Sequence, residues 1–183
     1  MITLEEIRAY HCPRWDELPD LELYMDQVMS VLDKNLKIFI GDDPAKSVTP
    51  TMINNYVKHK LVRPPKNKRY DRGQIANLYI ITLLKQIMSL GEINDAVTCV
   101  KQKYSTKDAY NRFCDIFEGS LALVFFEENI PVTGSEFSET DAIIRSITLA
   151  YANMLYASYL VSSQLPQKEE QPVKEKKKKD KDK

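Results

Sequence analysis

Apolar side chains recur at three- and four-residue steps in successive blocks between residues 21 and 163, the spacing that places them on one face of a helix. The first block shows the pattern: Leu21, Met25, Val28, Met29, Leu32, Leu36 and Phe39 form one amphipathic stripe. Later blocks repeat it, with Ile75, Leu78, Tyr79, Leu83, Leu84, Ile87 and Met88 in one, and Tyr110, Phe113, Ile116, Phe117, Leu121 and Val124 in another. Strand-like alternation is confined to a minimal ribbon expected near residues 62–70. The expected fold class is all-α. With 43% hydrophobic residues the chain can bury a real core, which excludes wholesale disorder. No apolar run approaches the ~20 residues of a membrane span.

Punctuation divides these blocks. Gly41-Asp42-Asp43-Pro44 ends the first helix, with glycine as C-cap and proline as a stop. Thr49-Pro50 opens a short second helix, with threonine as N-cap and proline at the first helical position. Pro64-Pro65 forbids its continuation. Asp71 caps a helix expected over residues 72–88, and a further helix is expected over 92–104 after Ser89-Leu90-Gly91. Ser105 and Asp108 resemble a capping box, and Ser138 is placed to cap a last long helix. Residues 129–135, with Pro131 and Gly134, read as a loop. The organisation expected is an arm at 1–20, a helical unit at 21–104, a further helical region at 105–163, and a disordered charged tail at 164–183. That tail is nearly all Lys, Glu, Gln and Asp, too polar to offset the entropy of ordering. Its lysine run at 176–179 reads as a solubilising feature before a nucleic-acid contact.

The formal net charge of zero conceals a segregation. Residues 1–43 carry ten acidic and four basic side chains. Residues 44–75 carry eight basic ones (Lys46, Lys58, Lys60, Arg63, Lys66, Lys68, Arg69 and Arg72) against the single acid Asp71. A local excess of this size is the footprint that phosphate binding requires.

Within that basic segment, residues 48–65 read VTPTMINNYVKHKLVRPP. A recognition helix needs short polar side chains near its N-terminus and an apolar back against a supporting helix. Thr49, Thr51, Asn54, Asn55 and Lys58 can face outward, while Met52 or Ile53 and Tyr56-Val57 hold the helix down. Asparagine suits adenine in the major groove, where its amide can bond N6 and N7 together. Lys58, His59, Lys60 and Arg63 lie where phosphates are expected, and Lys66, Lys68 and Arg69 form a second basic group.

This segment resembles the DNA-binding domain of the MerR family, whose pattern is roughly V-S-P-S-T-L-R-Y-Y, a short basic stretch, then G-L-x-P-P. Val48, Thr49, Pro50 and Thr51 match its opening, Tyr56 the tyrosine ending the recognition helix, and Leu61, Val62 and Pro64 its exit. Arg69-Tyr70 resembles the end of the wing, Asp71 falls where the next helix is capped, and residues 84–93 (LKQIMSLGEI) are similar to L-R-E-L-G-F-S-L-E-E-I. The longer segment 18–65 resembles more closely a bacterial family known only as domain of unknown function 1836. The resemblance implies a MerR-like winged helix-turn-helix with additional C-terminal helices. It also implies a cytoplasmic DNA-binding transcription regulator. The contacts expected from the residue pattern and the resemblance together are Thr49, Thr51, Asn54, Asn55, Tyr56, Lys58, His59, Lys60, Arg63, Lys66, Lys68, Arg69 and Tyr70, and the expected partner is double-stranded DNA. Three departures stand out. Asn54-Asn55 occupies the family's Arg-Tyr pair, Lys60 replaces a glycine that takes the left-handed conformation, and the wing lacks its G-Y-R turn.

Other chemistry is sparse. His11-Cys12 has no second ligand pair at zinc spacing, so no metal site is expected. Cys99 and Cys114 lie in the region where metal-sensing relatives of MerR keep thiolates, although buried apolar cysteine is the default. Three widely spaced cysteines form no disulfide framework and suit a reducing compartment. The start, MITLEEIRAY, has no secretory pattern. Asp42-Asp43 and Glu127-Glu128 read as loop or helix ends, and no phosphate loop, nucleophile elbow or His-Glu metal motif occurs. Neither an enzyme nor a cofactor is expected. The aromatics Tyr110, Phe113, Phe117, Phe125, Phe126, Tyr151, Tyr156 and Tyr159 are assigned both to an intramolecular core against residues 21–40 and to a homodimer interface. No ligand is identified for a small-molecule pocket among these helices. The alternative to DNA binding is a helical protein–protein adaptor, and a third reading is a metal- or redox-responsive sensor.

Overall fold

A computed structural model describes residues 2–41, 47–130 and 137–165. Seven helices are found among them: α1 (Leu4–Ala9), α2 (Met25–Ile40), α3 (Pro50–Lys58), α4 (Arg72–Leu84), α5 (Leu90–Lys101), α6 (Thr106–Phe126) and α7 (Glu139–Gln164). A 3-10 turn (Trp15–Glu17) and two short strands, β1 (Leu23–Tyr24) and β2 (Arg69–Tyr70), complete the set. The described fold is predominantly helical, and none of these helices is long and apolar enough to cross a membrane. Lys46, Asp42-Asp43-Pro44, the loop residues Pro131 and Gly134, and the tail from 166 onward lie outside the described residues.

The expected caps form where side chains can reach unpaired amides of the first turn. Thr49 accepts from the Met52 amide, Asp71 from Gln74, Ser105 from Asp108 and Ser138 from Asp141. Gly41 closes α2 at φ +64°, ψ −157°, a conformation that excludes a side chain although the space around it is open.

Three boundaries differ from expectation. The first apolar stripe does not begin a helix at Leu21, which is 72% exposed. Instead Leu23 and Tyr24 pair antiparallel with Tyr70 and Arg69, and α2 starts at Met25. The ribbon expected near 62–70 thus finds its partner some 45 residues upstream. Second, α4 ends at Leu84, not Met88, in a run of tight turns. Third, Ser89, expected to separate two helices, is the N-cap of α5 and forms a reciprocal capping box with Glu92, so that helix spans 90–101.

One buried cluster runs from Ile7 to Leu155. At its centre Tyr10, Phe39, Phe113, Phe117 and Tyr151 form a chain of ring contacts with centroids 4.7–5.9 Å apart, joining the N-terminal arm, α2, α6 and α7. The C-terminal aromatics are therefore largely taken up within the molecule; Phe125 continues the contacts to Tyr156 and Tyr159.

The arm is pinned by charge as well. Arg14 bonds Glu118 at 2.6 Å and Asp115 at 2.9 Å, and the Cys12 amide also donates to Glu118. Between α6 and α7 lies a buried ion pair: the Arg112 guanidinium donates to both Asp141 oxygens, at 2.8 and 3.0 Å. Burial by itself would raise the Asp141 carboxyl. Hydrogen bonds from Arg112, the Ser138 amide and hydroxyl, and Tyr104 outweigh it and hold that carboxyl well below the usual range.

Candidate nucleic-acid interface

The polar residues of α3 fall at 51, 54, 55 and 58, the i, i+3, i+4, i+7 positions of one helical face. Thr51, Asn54, Asn55 and Lys58 are all exposed, and Thr49, as N-cap, is half-buried beneath them. The opposite face supplies Ile53 and Tyr56 to the core. Lys85 of the turn after α4 is half-buried next to this helix, its Nζ 3.6 Å from the Met52 sulfur, and burial lowers its ammonium pKa.

After α3 the chain reverses sharply. Lys60 adopts φ +61°, the left-handed conformation that glycine takes without strain. The reversal lets the amides of Leu61 and Val62 return to the Tyr56 carbonyl, at 3.0 and 3.4 Å, and buries both side chains. His59 and Lys60 are left exposed at the helix end.

Residues 66–69 form a two-residue hairpin. Lys66 and Arg69 exchange both main-chain hydrogen bonds, at 3.0 and 2.9 Å, around Asn67 and Lys68, which lie at φ +50° and +63°. Two consecutive left-handed residues define the tight turn whose twist matches paired strands. Asparagine tolerates that conformation; lysine does so at a cost. Lys66, Asn67 and Lys68 are exposed at its tip.

A buried glutamine couples this turn to α4. The Gln74 side-chain amide donates to the carbonyls of Arg63 and Pro64, at 2.8 and 3.2 Å, while its carbonyl oxygen accepts from the Asp71 amide. Asp71 in turn takes an ion pair from Arg63 at 2.9 Å.

Not every expected contact residue reaches this surface. Tyr56 and Tyr70 are 3% and 1% exposed and support the fold from inside, so neither offers a surface to DNA. Burial raises both phenols, Tyr56 to about 12. Arg63 pairs with Asp71 while its side chain stays 75% exposed on this surface. Arg69 donates to the Tyr24 hydroxyl at 2.9 Å and lies over its ring, and hydrogen bonding to Tyr24 raises its guanidinium pKa. Arg72, counted in the basic segment, turns toward the acidic arm and faces Asp16 and Asp20 at 3.6 and 4.0 Å. Among the described residues, Lys58, Lys60, Lys66 and Lys68 have no ion-pair partner.

Sequence reasoning passed over Asn67, Gln74 and Tyr24. Asn67 was detectable as half of a two-residue turn, and Gln74 as the fourth residue of a capping box opened by Asp71. Nothing local marks Tyr24 as the seat of Arg69.

The cysteines are dispersed. Cys99 is exposed on α5, while Cys114 is buried on α6 with its sulfur 3.7 Å from the Pro13 carbonyl. Burial pushes the Cys114 thiol far up. His11 lies between the carboxylates of Glu17 and Glu118, while Cys12 is buried.

Fold and site together define a helical protein that presents a polar helix face and a lysine-tipped hairpin as its concentrated basic surface. A family model described as "Domain of unknown function (DUF1836)" matches residues 13–113, more than half of the chain and the whole of this unit, and the protein belongs to that family. No curated protein and no solved structure matches the chain.

Proposed function

We propose that this protein is a DNA-binding transcription regulator and that α2, α3 and the hairpin form a MerR-like winged helix-turn-helix. The observation that carries this reading is the exposed stripe Thr51, Asn54, Asn55 and Lys58 on α3, beside a hairpin whose tip holds Lys66 and Lys68. In this reading α3 enters the major groove, Asn54 and Asn55 reach base edges, and the four unpaired lysines meet phosphates. Thr49, His59 and Lys60 border the same surface. The protein acts by binding, without catalysis, in the cytoplasm, and as a homodimer. Two copies of α3 then meet successive major grooves about 34 Å apart.

The test is retention of a chain truncated after residue 165 on non-specific duplex DNA, followed by selection of bound genomic fragments. Retention that falls with salt and enriches a common sequence is the expected result. No retention at low salt would sink the reading and favour a helical protein–protein adaptor.

A further inference from the structure

α5 is lightly seated. Of its twelve residues only Ile93 is fully buried. Its inward face continues with Ala96, Val97 and Val100, at helical spacing from Ile93. These short side chains meet large ones across the gap, among them Leu84 of α4, Phe113 of α6 and Ile147 of α7. The result is a cavity of about 60 Å³. That is several times the ~15 Å³ a water needs, yet an apolar wall gives water too few partners to hold it. The wall atoms also forgo the dispersion contacts a filled site would have.

Among the described residues its lining has one charged residue. Lys101, at the end of α5, lines the cavity and is exposed, and it has no ion-pair partner among the described residues. Among the described residues no acidic side chain lines the site.

We infer that this cavity binds the hydrocarbon end of a small monocarboxylate, a short- to medium-chain fatty acid, with the carboxylate held at the Lys101 ammonium. The site bears on the basic surface through α4. Asn77, Ile80 and Leu84 of that helix line the cavity, and its N-terminal Asp71 and Gln74 hold Arg63 and Pro64 ahead of the hairpin. Occupancy then changes how the hairpin is presented. That consequence rests on the DNA-binding reading; binding of the carboxylate does not.

The full-length protein is titrated with unbranched carboxylates from butanoate to octanoate, and with 1-octanol as the uncharged analogue, by calorimetry or ligand-observed NMR. Saturable binding is expected, with affinity rising about fourfold per methylene in the short members and then levelling. Val97→Phe, which fills the cavity, abolishes octanoate binding, and Val100→Leu serves if that variant does not fold. Lys101→Gln weakens octanoate about threefold and leaves 1-octanol unchanged, the size expected of an exposed ion pair. Failure of octanoate to saturate the wild type overturns the site, as does wild-type binding by a folded cavity-filled variant. An unchanged octanoate affinity in Lys101→Gln overturns the carboxylate assignment. Octanoate binding without any change in DNA retention overturns the regulatory link. Absence of DNA retention with and without octanoate, alongside saturable octanoate binding, sinks the DNA reading and supports the site.

Discussion

The side-chain amide of Gln74 donates to the main-chain carbonyl of Arg63 at 2.8 Å, from a side chain that is almost wholly buried. A residue of the helix α4 thereby sets the direction in which the chain leaves α3 and enters the hairpin. Gln74→Leu keeps the volume but leaves the Arg63 and Pro64 carbonyls without that donor and removes half of the capping box. The expected loss is about 2 kcal/mol of unfolding free energy, read from urea denaturation. DNA affinity should fall in the same variant while α3 itself is untouched.

Two lysines hold strained backbone at the candidate interface, Lys60 at φ +61° and Lys68 at φ +63°. Strain retained at a functional surface is offset by what the side chain does there. Lys68→Gly should therefore raise stability by roughly 0.5–1 kcal/mol and weaken binding to every DNA sequence. Thermal melts and DNA titrations on one variant measure both. A variant that is stabilised with full DNA affinity would remove Lys68 from the interface.

Charge pairing within the molecule changes the expected salt dependence. If DNA is bound as proposed, the basic segment read from sequence would supply about six phosphate contacts and a slope of log affinity against log salt near −5. Arg63 and Arg69 are engaged by Asp71 and Tyr24, which leaves Lys58, Lys60, Lys66 and Lys68 and a slope of about −3.6. Asn54→Ala with Asn55→Ala should lower discrimination among sequences with little change in that slope. Binding measured from low to moderate salt separates the two values.

The Arg112–Asp141 pair sets an acid limit on the C-terminal helices. The Asp141 carboxyl is depressed in the folded state, so its contribution is fully present above the ordinary aspartate pKa, about 4. It is lost progressively as pH falls from there through the folded value. Asp141→Asn breaks this buried pair by removing one partner and should cost about 3–5 kcal/mol at neutral pH. Its stability should then vary less than that of the wild type below pH 4. Denaturation at pH 7 and pH 3 for both proteins checks the sign.

Much of this arrangement could be read along the chain. Thr49, Asp71, Ser105 and Ser138 cap helices at the expected positions because a cap satisfies amides only two or three residues away. The outward stripe on α3 follows from residue spacing alone. Such features depend on neighbours within about one helical turn, and those neighbours are written next to one another.

What the tertiary structure decided involves residues far apart in sequence. Apolar spacing carries the first helical stripe back to Leu21, yet pairing with Arg69 and Tyr70 draws Leu23 and Tyr24 into a strand. The tyrosines Tyr56 and Tyr70 belong to the core, and Arg63, Arg69 and Arg72 turn to Asp71, Tyr24 and the acidic arm. The gap beneath α5 arises only when its alanine and valines meet the longer side chains of three other helices. Local propensity sets where helices start and which face is polar. The partner of a given cation, and whether two surfaces fill the space between them, is settled by packing across tens of residues.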